Sequence, residues 1–231
     1  MAGLQSIINA CNGLSIDRRK TVGIQFTRNE IPRVSQTPTK NPWKFALDMP
    51  SSYRYNEARD LMEALDTIDR ITPEIITFSE NGKLDWMFRY RGAMTSGQIA
   101  TVTVQSFIGD QLVLTGLPAL AAGAVLFQPN DLIQIGSLGV HPYPFTSTTQ
   151  VLRGSGSTVT VTTSRPNILT GTLTGLGIIV GNSCQFNMFC QNMPTYKFIP
   201  GGYQRVNNTL VGNAILEWSD SFQFYEFVGD A

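Results

Sequence analysis

DQLVLTGLPALAAGAVLFQPNDLIQIG, residues 110–136, sets the texture by which this chain is read. Its apolar runs are only four or five residues long and rich in Val, Ile and Leu. Gly116, Pro118, Gly123 and Pro129-Asn130 break them. Runs of that length, bounded by turn formers, are strands rather than helices. The pattern continues on both sides, in ATVTVQSF (100–107), TTQVLRG (148–154), STVTVTTS (157–164) and GIIVG (177–181). Strands at roughly 8–12 residue spacing predict a barrel or sandwich. Gly109-Asp110, Pro129-Asn130 and Gly154-Ser155-Gly156 are the expected turns.

The same region is almost without charge. Between Gln111 and Pro200 the only charged side chains are Asp131, Arg153, Arg165 and Lys197, whereas residues 1–92 hold 13 Lys/Arg and 11 Asp/Glu. Edge charges and mutual repulsion normally keep sheets from pairing with one another. A long, weakly charged β surface is therefore expected to be covered by other copies or other proteins. The formal net charge of zero removes any global pull toward nucleic acid or an anionic membrane. No apolar run reaches the roughly 20 residues that span a bilayer. The N-terminal segment does not read as a signal peptide, because Gln5, Asn9, Asn12 and Asp17 interrupt it. Cys11, Cys184 and Cys190 contain no CxxC pair and read as reduced thiols that act as small hydrophobes.

Upstream, GLQSIINACN (3–12) has Leu4, Ile7, Ile8 and Cys11 at helical spacing. Val22, Ile24 and Phe26 alternate as in a half-buried strand, and so do Trp43, Phe45 and Leu47. Pro32, Pro38 and Pro42 keep the chain between them extended. The one long helix is expected over 51–70. Ser51 or Ser52 would cap it, Tyr55, Ala58, Leu61, Met62, Leu65 and Ile68 form its apolar stripe, and Pro73 lies beyond its end. IITF (75–78) and LDWMFRYRG (84–92) are expected strands about an Asn81-Gly82 hairpin, with Trp86, Phe88 and Tyr90 on one face. The chain end is expected to form three more strands around Gly201-Gly202. ITFSENGKLDWMFRY and LEWSDSFQFYEF echo one another as hairpins. Together these features predict a mainly β chain with one long helix. Residues 1–95 and 173–231 would form a β-sandwich carrying the packed helix, and 96–172 an inserted small β-barrel.

Chemistry-bearing constellations are sparse. The single histidine, His141, sits in HPYPF and reads as a loop-packing residue. A Ser-His-Asp or Cys-His device would need it, and no GxSxG elbow accompanies it. No His/Cys cluster has metal-ligand spacing. GSGST (154–158) lacks the GK[ST] ending of a phosphate loop and reads as a hairpin turn between VLR and VTVTT. Asp60, Glu63 and Asp66 fall on the wet face of the helix. The expectation is no catalytic, cofactor-binding or metal site, and no enzyme. The remaining candidates lie on the arm that carries Arg18, Arg19, Arg28, Glu30, Arg33, Lys40 and Trp43. Acids interrupt its basic residues, which suits docking between subunits better than nucleic-acid binding.

Three stretches carry a resemblance: RRKTVGIQFTRNEIPRVSQTPTKNPWKF (18–45), NDLIQIG with YPFTSTTQVLRGSGSTVTVTTSRP (130–136 and 143–166), and NMPTYKFIPGG with SDSFQFYEFVGD (192–202 and 219–230). In these the chain resembles bacteriophage tail-end or baseplate proteins of the tail-tube initiator and distal-tail type. The resemblance implies a tail-tube-like sandwich that closes into a ring, expected to be hexameric, by sheet-to-sheet joining. It implies a structural virion protein, assembled in the bacterial cytoplasm, that joins the tail tube to hub or wedge proteins. Genomic DNA would pass through the lumen without sequence-specific binding, and no cofactor is implied. The alternative is a receptor- or carbohydrate-binding module of the tail, with Tyr143, Phe145 and Tyr203 as its platform.

Overall fold

The computed structural model describes residues 3–18, 22–26, 32–36, 42–50, 53–68, 72–79, 83–137, 142–201, 203–212 and 214–228. The chain is mainly β, with several antiparallel sheets and few helices. Among the described residues the largest sheet has five strands in the order Gly13–Asp17, Lys44–Asp48, Phe222–Glu226, Gln185–Asn192, Glu74–Thr77. Alternation along these strands sends Phe45, Leu47, Ile76, Phe186, Met188, Cys190, Phe222 and Phe224 to one buried face. The helices Gly3–Ala10 and Tyr55–Asp66 join the same core through Leu4, Ile7, Ile8, Leu61 and Leu65. They meet where Gly3 lies against the long helix, and a Cβ there would fall 2.7 Å from the Ala64 carbonyl oxygen. The Gln5 side chain works as an extra strand partner. Its amide donates to the Thr77 carbonyl at 2.9 Å and its oxygen accepts from the Thr77 N–H at 2.9 Å, which caps the exposed sheet edge. Cys11, Cys184 and Cys190 are buried, as their reading as small hydrophobes expects.

A second core gathers side chains from Met94 to Val180. It is enclosed by three small sheets. One has the order Val159–Thr162, Gln111–Thr115, Thr103–Ile108, and another Phe145–Thr146, Leu132–Ile135, Ile178–Val180. The third pairs Val151–Leu152 with Val125–Phe127. Among the described residues these sheets do not close into a barrel. Leu132–Ile135 is buried along its whole length. Leu132 belongs to the first core, Ile133 and Ile135 to the second, so one strand is a wall shared by both. Period-two alternation suffices to produce this.

Several expectations require correction. The long helix starts at Tyr55, because Tyr53–Arg54 is taken up in pairing with Ile215–Leu216. Arg54 occupies its cap position without a side-chain hydrogen bond, and the helix ends at Asp66. Ser51, Ser52, Asn81, Gly82 and Gly202 lie outside the described residues. Asp85–Phe88 is a 3₁₀ turn rather than a strand. Leu84 and Phe88 are buried, while Trp86 is 69% exposed. The echoed hairpins do not exist as such, since Ile215–Trp218 and Phe222–Glu226 belong to different sheets. The GSGST loop likewise joins strands of two sheets. Arg153 holds that loop by donating to the carbonyls of Gly154 and Gly156 at 2.6 and 2.5 Å. Among the described residues beyond 184 there are six strands instead of three, including the hairpin Tyr203–Val206/Thr209–Gly212. Its turn is Asn207-Asn208, with φ of 49° and 64°, a conformation asparagine tolerates better than most residues. In the arm Val22–Phe26 and Pro32–Gln36 are extended, as the alternation and Pro32 lead one to expect, and they pair antiparallel with one another.

Leu65 is 6% exposed in the first core. Leu65→Ala is expected to cost about 2–5 kcal/mol, read from equilibrium urea unfolding. An unchanged midpoint would contradict this packing.

A candidate docking site at the seam between the cores

The seam is organised by an ion pair. Arg165, from the loop after the Val159–Thr162 strand, donates to both Glu226 oxygens at 2.6 and 2.8 Å. Both side chains are almost fully buried, at 3% and 0% exposure. The same guanidinium donates to the Pro144 carbonyl at 2.5 Å and lies 3.3 Å from the Tyr143 ring centre. Burial pushes the Tyr143 phenol up to about 12, against the opposing pull of the Arg165 charge. Glu226 is tied in turn to Trp43. Its carboxylate accepts from the Trp43 N–H at 3.0 Å, and its own N–H donates to the Trp43 carbonyl at 2.8 Å. Charge-assisted bonds of this bidentate kind are the strong ones.

Two further polar groups cross the same boundary or brace it. Gln134, on the shared strand and fully buried, accepts from the Gln185 N–H at 2.6 Å. Asp131, 2% exposed, accepts from the Gln128 N–H at 2.7 Å and from Arg91 at 3.3 and 3.5 Å. Burial pushes the Asp131 carboxyl upward, with those donors opposing.

Above this frame the Arg18 guanidinium lies 4.9 Å from the Trp43 ring centre and donates to Asn130 Oδ1 at 3.1 Å. Asn130 is at φ 69°, within the Pro129-Asn130 turn. Hollows of about 330 and 320 Å³ flank the Arg18–Asn130 bridge. Of the sequence-predicted docking residues, Arg18 and Trp43 therefore come together, with Trp43 itself 3% exposed. Arg33 lies on Pro32–Gln36 opposite Gln25. Arg19, Arg28, Glu30 and Lys40 fall outside the described residues, as does His141. Asn130, Asp131, Arg165 and Glu226 were not singled out as site residues. The available signal was rarity, since Asp131 and Arg165 are two of the four charges in residues 111–200 and both are buried.

Among the described residues, no group of three or more His, Cys, Asp or Glu side chains is placed to hold a metal ion. No helix among them is long and apolar enough to cross a membrane. Tyr143 and Phe145, expected as an exposed platform, are 5% and 0% exposed, because they wall in Arg165.

Removing one member of a buried pair strands the other. Arg165→Met is expected to cost about 3–5 kcal/mol. Adding Glu226→Leu should recover part of that loss and no more, since the Trp43 N–H then loses its acceptor. Urea unfolding of the single and double variants checks this, and a single variant as stable as wild type would contradict it. No protein-family model matches the chain, and no curated protein matches it.

Proposed function

We propose that this chain is a structural protein of a bacteriophage tail end or baseplate. It assembles as a homo-oligomeric ring, of six copies on the family resemblance, between the tail tube and hub or wedge proteins, and the lumen continues the DNA channel. It acts by assembly and not by catalysis, and its place is the virion. In this reading residues 1–95 and 173–231 are the tail-tube-like sandwich domain and 96–172 an inserted, barrel-like β-domain. The separation of the hydrophobic side chains into two cores supports a division of this kind, although Leu132 of the block joins the first core and Met94, Leu173, Ile178 and Val180 from outside it join the second.

The observation that carries the reading is a surplus of unpaired strand edges. Among the described residues, the hairpins Val22–Phe26/Pro32–Gln36 and Tyr203–Val206/Thr209–Gly212 pair with no other strand. A lone two-stranded hairpin is marginal in water, and open edges template pairing with another chain. A third open edge, Tyr196–Ile199, carries Tyr196 and Phe198 at 36% and 44% exposure. Their rings contact Trp218 and Tyr55, with centroids 5.4 and 5.5 Å apart. A weakly charged aromatic edge of this kind suits burial against a neighbouring subunit.

Purified protein is expected to form closed rings with rotational symmetry in electron-microscope class averages, matched by a discrete heavy species in sedimentation. Phe198→Glu should weaken that association at least about tenfold while leaving the melting temperature unchanged. A strict monomer at high concentration that is also missing from particles would contradict the proposal.

A further inference from the structure

The larger hollow beside Arg18 is chemically one-sided. It is lined by two guanidinium groups, those of Arg18 and Arg165, with the Asn130 amide and a row of hydroxyls that includes Thr146 and Ser164, and no carboxylate lines it. The Arg165 charge is balanced by Glu226 behind the wall. Arg18 pairs with no carboxylate among the described residues, and its one side-chain hydrogen bond goes to neutral Asn130. Among the described residues it therefore carries the uncompensated charge of the site. Ser164 Oγ accepts from Thr146 Oγ1 at 2.6 Å, so its own proton is left to donate into the hollow. Arg18 is exposed, so the hollow is reached from solvent, and partial desolvation lowers the pKa of its guanidinium.

We propose that this hollow is a carboxylate-binding pocket in which Arg18 and Ser164 are the donors and Trp43 holds the guanidinium in place. The planar fork of an arginine matches a carboxylate with two parallel hydrogen bonds. One net positive charge matches a monoanion, whereas a dianion would bring its second charge toward Glu226. A volume of about 330 Å³ admits a carboxylate on a short carbon chain. The carboxylate comes either from a small acid in solution or from an Asp or Glu side chain of a neighbouring copy. The second source rests on the ring reading above.

The test labels the indole nitrogens of the full chain, whose three tryptophans give three signals. Sodium acetate is titrated against sodium chloride at constant ionic strength. The Trp43 signal is expected to shift saturably with acetate alone, while Trp218 serves as the internal control. Arg18→Ala should weaken that response at least tenfold at an unchanged melting temperature, and Arg18→Lys should retain part of it. Ser164→Ala should reduce it without abolishing it. A linear response equal to that of chloride, or a saturable one that Arg18→Ala leaves intact, overturns the pocket. Tighter saturation by inorganic phosphate than by acetate overturns the choice of carboxylate. If acetate binds and also takes rings apart, the neighbour's side chain is the source. If it binds and leaves rings intact, the source is a small acid. Saturable acetate binding by a chain that forms no rings supports the pocket and removes the ring reading alone.

Discussion

The buried contact between Arg165 and Glu226 is the constraint on which the remaining structure depends. Arg165 comes from the weakly charged β block and Glu226 from the end of Phe222–Glu226, the central strand of the main sheet. Neither charge is tolerable in that environment alone, so the two bodies are held in one arrangement in which each charge faces the other. The carboxylate also fixes Trp43, whose ring packs edge-on against Phe186 and Phe88, so the seam and the aromatic centre of the first core share one residue. Gln134 adds a buried side-chain-to-backbone bond across the same boundary. What an apolar interface would leave able to slide, these polar groups fix in register.

This rigidity has a counterpart at the periphery, where strand edges stay open. The buried charges Arg165, Glu226 and Asp131 each face an opposite charge, while the free-standing hairpins leave rows of backbone donors and acceptors without strand partners among the described residues. Such edges are ordinarily blunted with charge. Here the outer strand Tyr196–Ile199 has one lysine, and Lys197 is engaged by Glu217 at 3.2 Å. A rigid body with sticky edges is what a closed ring requires, because a heterologous interface closes only if its rotation is the same at every joint. The proposed carboxylate pocket lies at the rigid seam, where Trp43 and Asn130 pre-organise Arg18.

Alternation of apolar and polar residues made most of the β block legible, since each predicted run from ATVTVQSF to GIIVG contains a strand. The long helix was legible through Ala58, Leu61 and Leu65, all buried. The segment 84–90 was not. Leu84 and Phe88 are four residues apart, a spacing that satisfies both the strand period and one helical turn, so seven residues cannot separate the two. Asp85–Phe88 turns because Phe88 must reach Phe78 and Trp43, and because Gly181, at φ 72°, lets the backbone at Tyr90 come close. The site was half legible. Arg18 and Trp43 belong to one arm, but Asn130 lies 112 residues from Arg18, and Glu226 lies 183 from Trp43 and 61 from Arg165. Partners that distant leave no local spacing to read.

Native-state hydrogen exchange, run side by side on the wild-type chain and on Arg165→Met, tests the coupling most directly. In wild type, amides of the main sheet and amides of the Thr103–Ile108/Gln111–Thr115/Val159–Thr162 sheet should open together at a common free energy. In the variant the two sets should separate by at least about 1.4 kcal/mol, a tenfold difference in opening. Amide rates unchanged by the substitution, or a uniform loss across both sheets, would show that the ion pair does not join two separately cored bodies.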